Sequence, residues 1–189
     1  MILENVRKII VLSDEEATKF TSFFKVVQVP KKFYLYKESQ ICRELYFVIE
    51  GLIKIYQTDE QEQQHVYQFS TRDYWVGDLY STVTGEGAAY SAETIEPSVL
   101  LRMSYEDQER MFVEIPSLER FFRILVQRSL VNLQQRISNE KNLSALERYL
   151  KLRNKFPWID QRVSQKDIAS CLGITAESFS RMKKDMLKL

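Results

Sequence analysis

Histidine occurs once in this sequence, at His65, and cysteine only twice, at Cys42 and Cys171. A single histidine leaves no room for a Ser-His-Asp triad or an H-E-x-x-H zinc motif. No Walker-type phosphate loop is present, and the plentiful carboxylates are scattered rather than paired, so no enzyme class is indicated. Two isolated cysteines fit neither a disulfide framework nor a clustered metal site, and an iron–sulfur cluster wants about four. No metal or cofactor is therefore expected. Long apolar runs are missing, which argues against a membrane span. The opening MILENVRKIIVLSDEE lacks the long apolar core and small-residue cleavage site of a secretory signal. A reducing, cytoplasmic compartment is the expectation. No internal repeat and no low-complexity tract interrupts the chain.

What is present is a chain of 189 residues, 44% hydrophobic and 28% charged, long enough to bury a core as one large domain or two small ones. Its net charge of +1 conceals an asymmetry. Residues 1–137 hold 16 Lys/Arg against 20 Asp/Glu, whereas residues 138–189 hold 11 against 6. An acidic body with a basic C-terminal part points to a polyanionic partner for that part.

The hydrophobic pattern changes period along the chain. Ser13 and Glu16 form an S-x-x-E capping box ahead of Ala17, Phe20 and Phe24 at helical spacing. From Lys25 to Met103 short runs rich in β-branched and aromatic residues (KVVQV, FYLY, LYFVI, LIKIY, HVYQF, YSAETI, SVLLRM) alternate with turn residues, as in a β-sandwich or barrel. Glu50-Gly51 sits between two such runs, where a tight hairpin is expected. Ser104 and Asp107 then mark a helix start, and Pro116 fits a first helical turn. Beyond it Leu118, Phe122, Leu125, Val126, Leu130, Leu133 and Ile137 recur every three or four positions. Two coverings for this stripe stand open: the β segment, or the same helix of a second copy. The last quarter reads as three helices, SALERYLKLRNKF up to Pro157, SQKDIASCL, and TAESFSRMKKDMLK.

The last two of these carry the chemistry. On the final helix Phe179, Met182 and Met186 share one side, while Glu177, Arg181, Lys184 and Lys188 share the other, flanked by Ser178 and Ser180. Thr175 is a good N-cap, which puts Glu177 and Ser178 in the first turn. Arginine can hold O6 and N7 of guanine in a fork, and glutamate can accept from N4 of cytosine. Lysines at this spacing suit phosphates, which orient a protein on DNA without reading sequence. Ser164 caps the preceding helix, Gly173 permits a sharp turn, and small Ala169 allows close approach. Together they form a helix-turn-helix whose second helix is free to enter a major groove. A purely structural hairpin with a solvated basic face explains fewer of these features.

DIASCLGITAESFSRMKK resembles the helix-turn-helix of the cyclic-AMP receptor/FNR family of bacterial transcription regulators, and LYFVIEGLIKIY and YWVGDLYS resemble that family's cyclic-nucleotide-binding β-roll. The resemblance implies an α+β fold: a jelly-roll sensor over residues 1–115, a dimerisation helix over 116–140, and a winged-helix-like DNA-binding domain over 141–189. It implies a homodimer paired through Leu118, Phe122, Leu125, Val126, Leu130, Leu133 and Ile137. Double-stranded DNA would be held by Ser164, Gln165, Thr175, Glu177, Ser178, Ser180, Arg181, Lys184 and Lys188, and RNA polymerase is a candidate further partner. Two departures bear on DNA. Ala176 stands where some members carry a guanine-reading arginine, so a different half-site is expected. NKFPWIDQRVS is short for the family's β-hairpin wing.

The resemblance also locates a ligand pocket at Gly77, Asp78, Tyr90, Ser91, Leu133 and Gln134. The family's cassette has Gly-Glu and Arg-Ser-Ala; this chain has Gly77-Asp78 and Tyr90-Ser91-Ala92. Tyr90 cannot supply the positive charge that a buried phosphate needs. Leu133 and Gln134 stand where hydroxyls would meet the base. Cyclic AMP is not expected to bind, and the effector is open. The alternative function is a sensor of a nucleotide-like ligand whose basic C-terminal part docks a protein. A lone thiol without basic surroundings is ordinarily inert packing; Cys171, on the first helix of the pair, is the one from which oxidation could reach the reading helix.

Overall fold

The computed structural model describes residues 1–186. Two short helices open the chain, α1 (Ile2–Arg7) and α2 (Asp14–Ser22). α2 starts at its capping box: the Glu16 amide donates to Ser13 Oγ at 3.1 Å and the Ser13 amide to Glu16 Oε2 at 2.8 Å. Strands follow: β1 (Lys25–Val29), β2 (Tyr34–Tyr36), β3 (Glu44–Glu50), β4 (Leu52–Thr58), β5 (Gln64–Thr71), β6 (Trp75–Val76), β7 (Ser91–Thr94) and β8 (Ser98–Ser104). A short α3 (Leu79–Thr84) lies between β6 and β7. The strands form two antiparallel sheets, ordered β1-β8-β3-β6 and β2-β7-β4-β5. This is the β-roll expected over residues 25–103.

One local expectation is corrected. Glu50-Gly51 does not close a hairpin, because β3 pairs with β6 and β8 while β4 pairs with β5 and β7. Gly51 instead carries the chain from one sheet to the other at φ 112°, where a Cβ would stand 2.1 Å from Ser98 Oγ. Only glycine fits that corner.

Alternation along the strands sorts the core into layers. Tyr46 and Val48 of β3 point between the sheets, joining Leu35, Ile53, Ile55 and Leu100. Leu45 and Phe47 point the other way, into a cluster with α1, α2, α4 (Tyr105–Glu114) and the start of α5 (Ser117–Asn142). Leu52, Tyr56, Val66 and Phe69 form the outer face of the second sheet, covered by α6 (Ala145–Lys155), α7 (Ile159–Arg162), α8 (Gln165–Cys171) and α9 (Ala176–Met186). Each sheet is thus packed on both faces. This explains why β3 and β4 read as near-continuous apolar runs.

The long helix α5 has 26 residues, about 39 Å at 1.5 Å per residue, and it divides into two parts. Leu118 and Phe121 are fully buried and Phe122 is 9% exposed. Phe121 and Phe122 pack their rings on Trp75, and Phe122 also meets Phe112. Leu118 and Phe122, expected on an outward pairing stripe, therefore belong to the protomer's own core: the first turns of α5 lie on the apolar face of β3 and β8. Leu125 is partly buried against the same cluster. From Val126 to Gln135 every residue is exposed. Among the described residues no helix is long and apolar enough to cross a membrane.

Candidate nucleic-acid interface

α8 and α9 owe their starts to side-chain caps. The Asp167 amide donates to Ser164 Oγ at 3.1 Å, and the Ser178 amide to Thr175 Oγ1 at 3.2 Å. Between the helices Gly173 adopts φ +68°, and a Cβ there would meet no atom within 4 Å, so the turn requires glycine for its backbone alone. The Gly173 amide donates to the Ser170 carbonyl at 3.0 Å and the Ile174 amide to the Ala169 carbonyl at 3.1 Å, closing α8. Ala169 is 1% exposed, so a larger side chain there would separate α8 from the core.

The two sides of α9 are chemically distinct. Phe179 is fully buried, its ring edge-on to Tyr149 at 5.1 Å, and Met182 and Met186 pack on the same cluster. Glu177, Ser178, Arg181 and Lys184 line the other side with Ser180; Glu177, Ser178, Arg181 and Lys184 are exposed, while Ser180 is half-buried. Ala176, Glu177, Ser180, Arg181 and Lys184 line one shallow groove on the surface. The Glu177 carboxyl lies below its ordinary pKa, because its own backbone amide and the Thr175 hydroxyl donate to it, so it is an acceptor at neutral pH. Ser164 and Gln165 are exposed at the start of α8. Lys188 lies outside the described residues.

Behind this face, Asp160 holds the basic module together. It accepts from Tyr149 Oη at 2.8 Å and from Lys183 Nζ at 2.7 Å, with Arg153 Nε at 3.3 Å. Partial burial pushes its carboxyl up, but the Lys183 and Tyr149 donors and the Arg153 charge outweigh that and hold it below the usual value. Burial and the Asp160 contact push the Tyr149 phenol up to about 12. A carboxylate depressed in the folded state stabilises it above the unfolded pKa, and that contribution is lost as pH falls through the folded one. Asp160→Asn is therefore expected to lower the melting temperature at neutral pH, with the gap to wild type closing below about pH 4. Thermal denaturation across pH checks this; a gap independent of pH would mean that Asp160 acts by shape and not by charge.

The expected ligand pocket is only partly assembled. Gly77, Asp78, Tyr90 and Ser91 come together on the β-roll, while Leu133 and Gln134 stand exposed on α5. Both Asp78 oxygens are engaged by backbone: Oδ1 accepts from the Ser81 amide at 2.8 Å, capping α3, and Oδ2 from the Ala89 amide at 3.1 Å. Ser91 Oγ accepts from the Glu38 amide at 3.0 Å. A Cβ at Gly77 would lie 2.4 Å from Tyr105 Oη, so that glycine serves packing. The Tyr90 ring lies on Tyr67 at 4.9 Å between centroids. Arg136 of α5 covers the Tyr67 ring at 4.4 Å, but it is bonded to the Tyr67 carbonyl and paired with Glu140 at 3.0 Å. Asp78 is already used, Tyr90 brings no charge, and Arg136 is committed, so these residues do not fit a cyclic nucleotide. Burial raises the Cys171 thiol to about 11, which leaves little thiolate at neutral pH.

Sequence patterns do not reveal a set of residues that tie the C-terminal helices to the β-roll: Lys54, Glu96, Arg162, Asp167 and Ser170. They meet across sequence separations that no local pattern records. The one available signal is Lys54, a charge in step with Leu52 and Tyr56 on an otherwise apolar strand face.

Comparisons with known proteins bear on this arrangement. Residues 26–114 match the family model of the cyclic nucleotide-binding domain. No curated protein matches the chain in sequence. CLP, a c-di-GMP-responsive global regulator of Xanthomonas campestris, superimposes with a TM-score of 0.75 at 16% identity, covering 93% of this chain and 92% of its own. FixK2 of Bradyrhizobium japonicum gives 0.72 at 17% identity, over 87% and 85% of the two chains. A CooA variant of Carboxydothermus hydrogenoformans gives 0.69 at 15% identity, over 95% and 86%. These likenesses show a shared fold.

Proposed function

We propose that this chain, whose residues 26–114 belong to the cyclic nucleotide-binding domain family and whose overall fold is that of cyclic-AMP receptor/FNR-type regulators, is a sequence-specific DNA-binding transcription regulator acting as a homodimer. The observation that carries this reading is the two-sidedness of α9. Its apolar side is locked against Tyr149, while Glu177, Ser178, Arg181 and Lys184 lie on the other side, which faces solvent. On this reading α8 and α9 are a helix-turn-helix, and Arg181 and Glu177 read base edges. Ser164, Gln165, Thr175, Ser178, Ser180, Lys184 and Lys188 supply the remaining base and phosphate contacts. Residues 1–115 form the sensor, 116–140 the helix whose free part pairs the two copies, and 141–189 read DNA. The single turn of α7 stands where a β-hairpin wing would be, so wing contacts are left out. RNA polymerase is the further partner that such a regulator would contact or exclude.

The pairing surface is the free part of α5. Val126, Leu130, Leu133 and Ile137 are spaced four, three and four apart and are all exposed in the single chain, a seam that a second copy would cover. Cyclic AMP is not its effector on this reading, since the cassette lacks both cation and free ribose acceptor. Any effector works by changing the populations of arrangements of the sensor and reading modules.

Selection of bound duplexes from a random pool tests the proposal. An inverted repeat with half-sites about 10 base pairs apart supports a dimeric groove reader. Recovery of no motif by the ligand-free protein, together with binding that is indifferent to salt, would favour a basic module that docks a protein instead. Arg181→Ala is expected to cost about 1–3 kcal/mol of DNA binding and to relax preference at one base pair. Titration against single-position variants of the selected site reads this directly, and an unchanged preference removes Arg181 from the base-reading set.

A further inference from the structure

Lys54 lies in β4 on the outer face of its sheet, between Leu52 and Tyr56, and is only 7% exposed. An ammonium group on an apolar face is costly unless it is paired. Its partners are Gln64 Oε1 at 2.7 Å and Asp167 Oδ1 at 3.2 Å, the latter in the first turn of α8. Asp167 is itself steadied by the Ser164 hydroxyl, which donates to its other oxygen at 2.8 Å. One turn further along α8, Ser170 Oγ donates to the Gln64 carbonyl at 2.7 Å and accepts from the Val66 amide at 2.9 Å. β5 is the outermost strand of its sheet, so Ser170 satisfies backbone groups that no neighbouring strand takes. A third tie joins Arg162 of α7 to Glu96 through two bonds, with the guanidinium stacked over Trp158 at 4.3 Å.

All three ties use the side of the helical module that faces the β-roll. The groove residues Glu177, Arg181 and Lys184 take no part in them and line a surface open to solvent. A contact built to silence the module would cover that face, and this one leaves it open. α8 and α9 share one core cluster through Ala169, Leu172 and Phe179, so what holds α8 holds α9.

We propose that the docked arrangement is the DNA-reading arrangement, and that Lys54 is a positioning residue for DNA recognition: through Asp167 it clamps α8 to the β-roll and so sets the direction of α9. In a dimer the separation of the two reading helices is then fixed by the β-rolls and α5, and the helices need not be ordered at the moment of binding. This rests on the DNA-binding function proposed above.

The whole chain and three variants, Lys54→Glu, Asp167→Lys and the two combined, are compared for affinity to the selected duplex and for deuterium exchange at the Val66 amide. Each single variant is expected to speed exchange at Val66 and to weaken binding about ten-fold, even though Asp167→Lys adds positive charge to a module that faces DNA. The combined variant, with opposite charges restored, is expected to return both readouts close to wild type, which simple packing damage would not do. Faster exchange with unchanged or tighter DNA binding overturns the proposal, since the clamp would then be idle or a brake. Unchanged exchange in the single variants, or no recovery in the combined one, overturns the role of Lys54. Failure of the wild-type chain to select any duplex defeats the DNA-binding function itself, and the proposal with it, before any variant is compared.

Discussion

Replacing Leu130 by aspartate is expected to turn the protein into monomers and to lower its affinity for a two-half-site duplex by a factor on the order of 10²–10⁴. Leu130 is 55% exposed in the single chain, in the middle of a seam with Val126, Leu133 and Ile137. Buried against a second copy, a carboxylate there would have no partner of opposite charge, since the seam residues on either side are apolar. Each monomer would keep its α9 but bind one half-site at a time, losing the gain of simultaneous engagement. Because the site is exposed, the protomer's own stability should be little changed. Phe122→Asp, by contrast, would break the core beneath Trp75 and Phe112. Sedimentation with DNA titration separates these cases, and a Leu130→Asp protein that stays dimeric would place the pairing surface elsewhere.

Phe179→Ala should have the largest effect on stability, about 3–5 kcal/mol. The ring is fully buried and meets Tyr149 edge to face at an interplanar angle of 85°. Tyr149 in turn donates to Asp160, which holds Lys183 on α9 itself. The cavity therefore opens at the point where α9 is seated, and DNA binding should fall with stability. Denaturant unfolding followed at Trp158, which packs on the same cluster, gives the number. Wild-type stability in Phe179→Ala would mean that α9 is anchored by some other contact.

Much of this architecture is legible in local sequence because local physics decides it. Ser13 with Glu16 and Ser104 with Asp107 mark helix starts that the structure contains, since a hydroxyl three residues ahead of a free amide has few better partners. The sidedness of α9 is legible for a similar reason: three apolar residues at helical spacing can reach one core together. Other features are decided by distant partners and leave weaker traces. The Glu50-Gly51 corner looks like a hairpin because a sharp glycine turn between two apolar runs reads the same whether the strands pair or part. Their distant pairing partners show that they part, and Ser98, which crowds the missing Cβ, shows why the corner needs glycine. α3 hides inside a stretch of strand-like texture, although Asp78 at its start is an ordinary cap. The same Asp78 looks in sequence like a ligand acceptor. In the structure that carboxylate is buried, and each of its oxygens already accepts from a backbone amide. The stripe on α5 poses a choice between two coverings, and the helix divides it: its first turns lie on the β-roll and the rest stands free.

The position of Ser170 on β5 has a consequence for how the chain is made. The β-roll leaves the ribosome before α8 exists. Until residues 165–171 arrive, the β5 edge carries open amide and carbonyl groups beside an uncovered apolar face of Leu52, Tyr56, Val66 and Phe69. Such an edge is a template for adding strands from other nascent or unfolded chains. α8 therefore ends the sheet as well as belonging to the C-terminal helical module: its arrival closes a surface on which the half-made protein would aggregate.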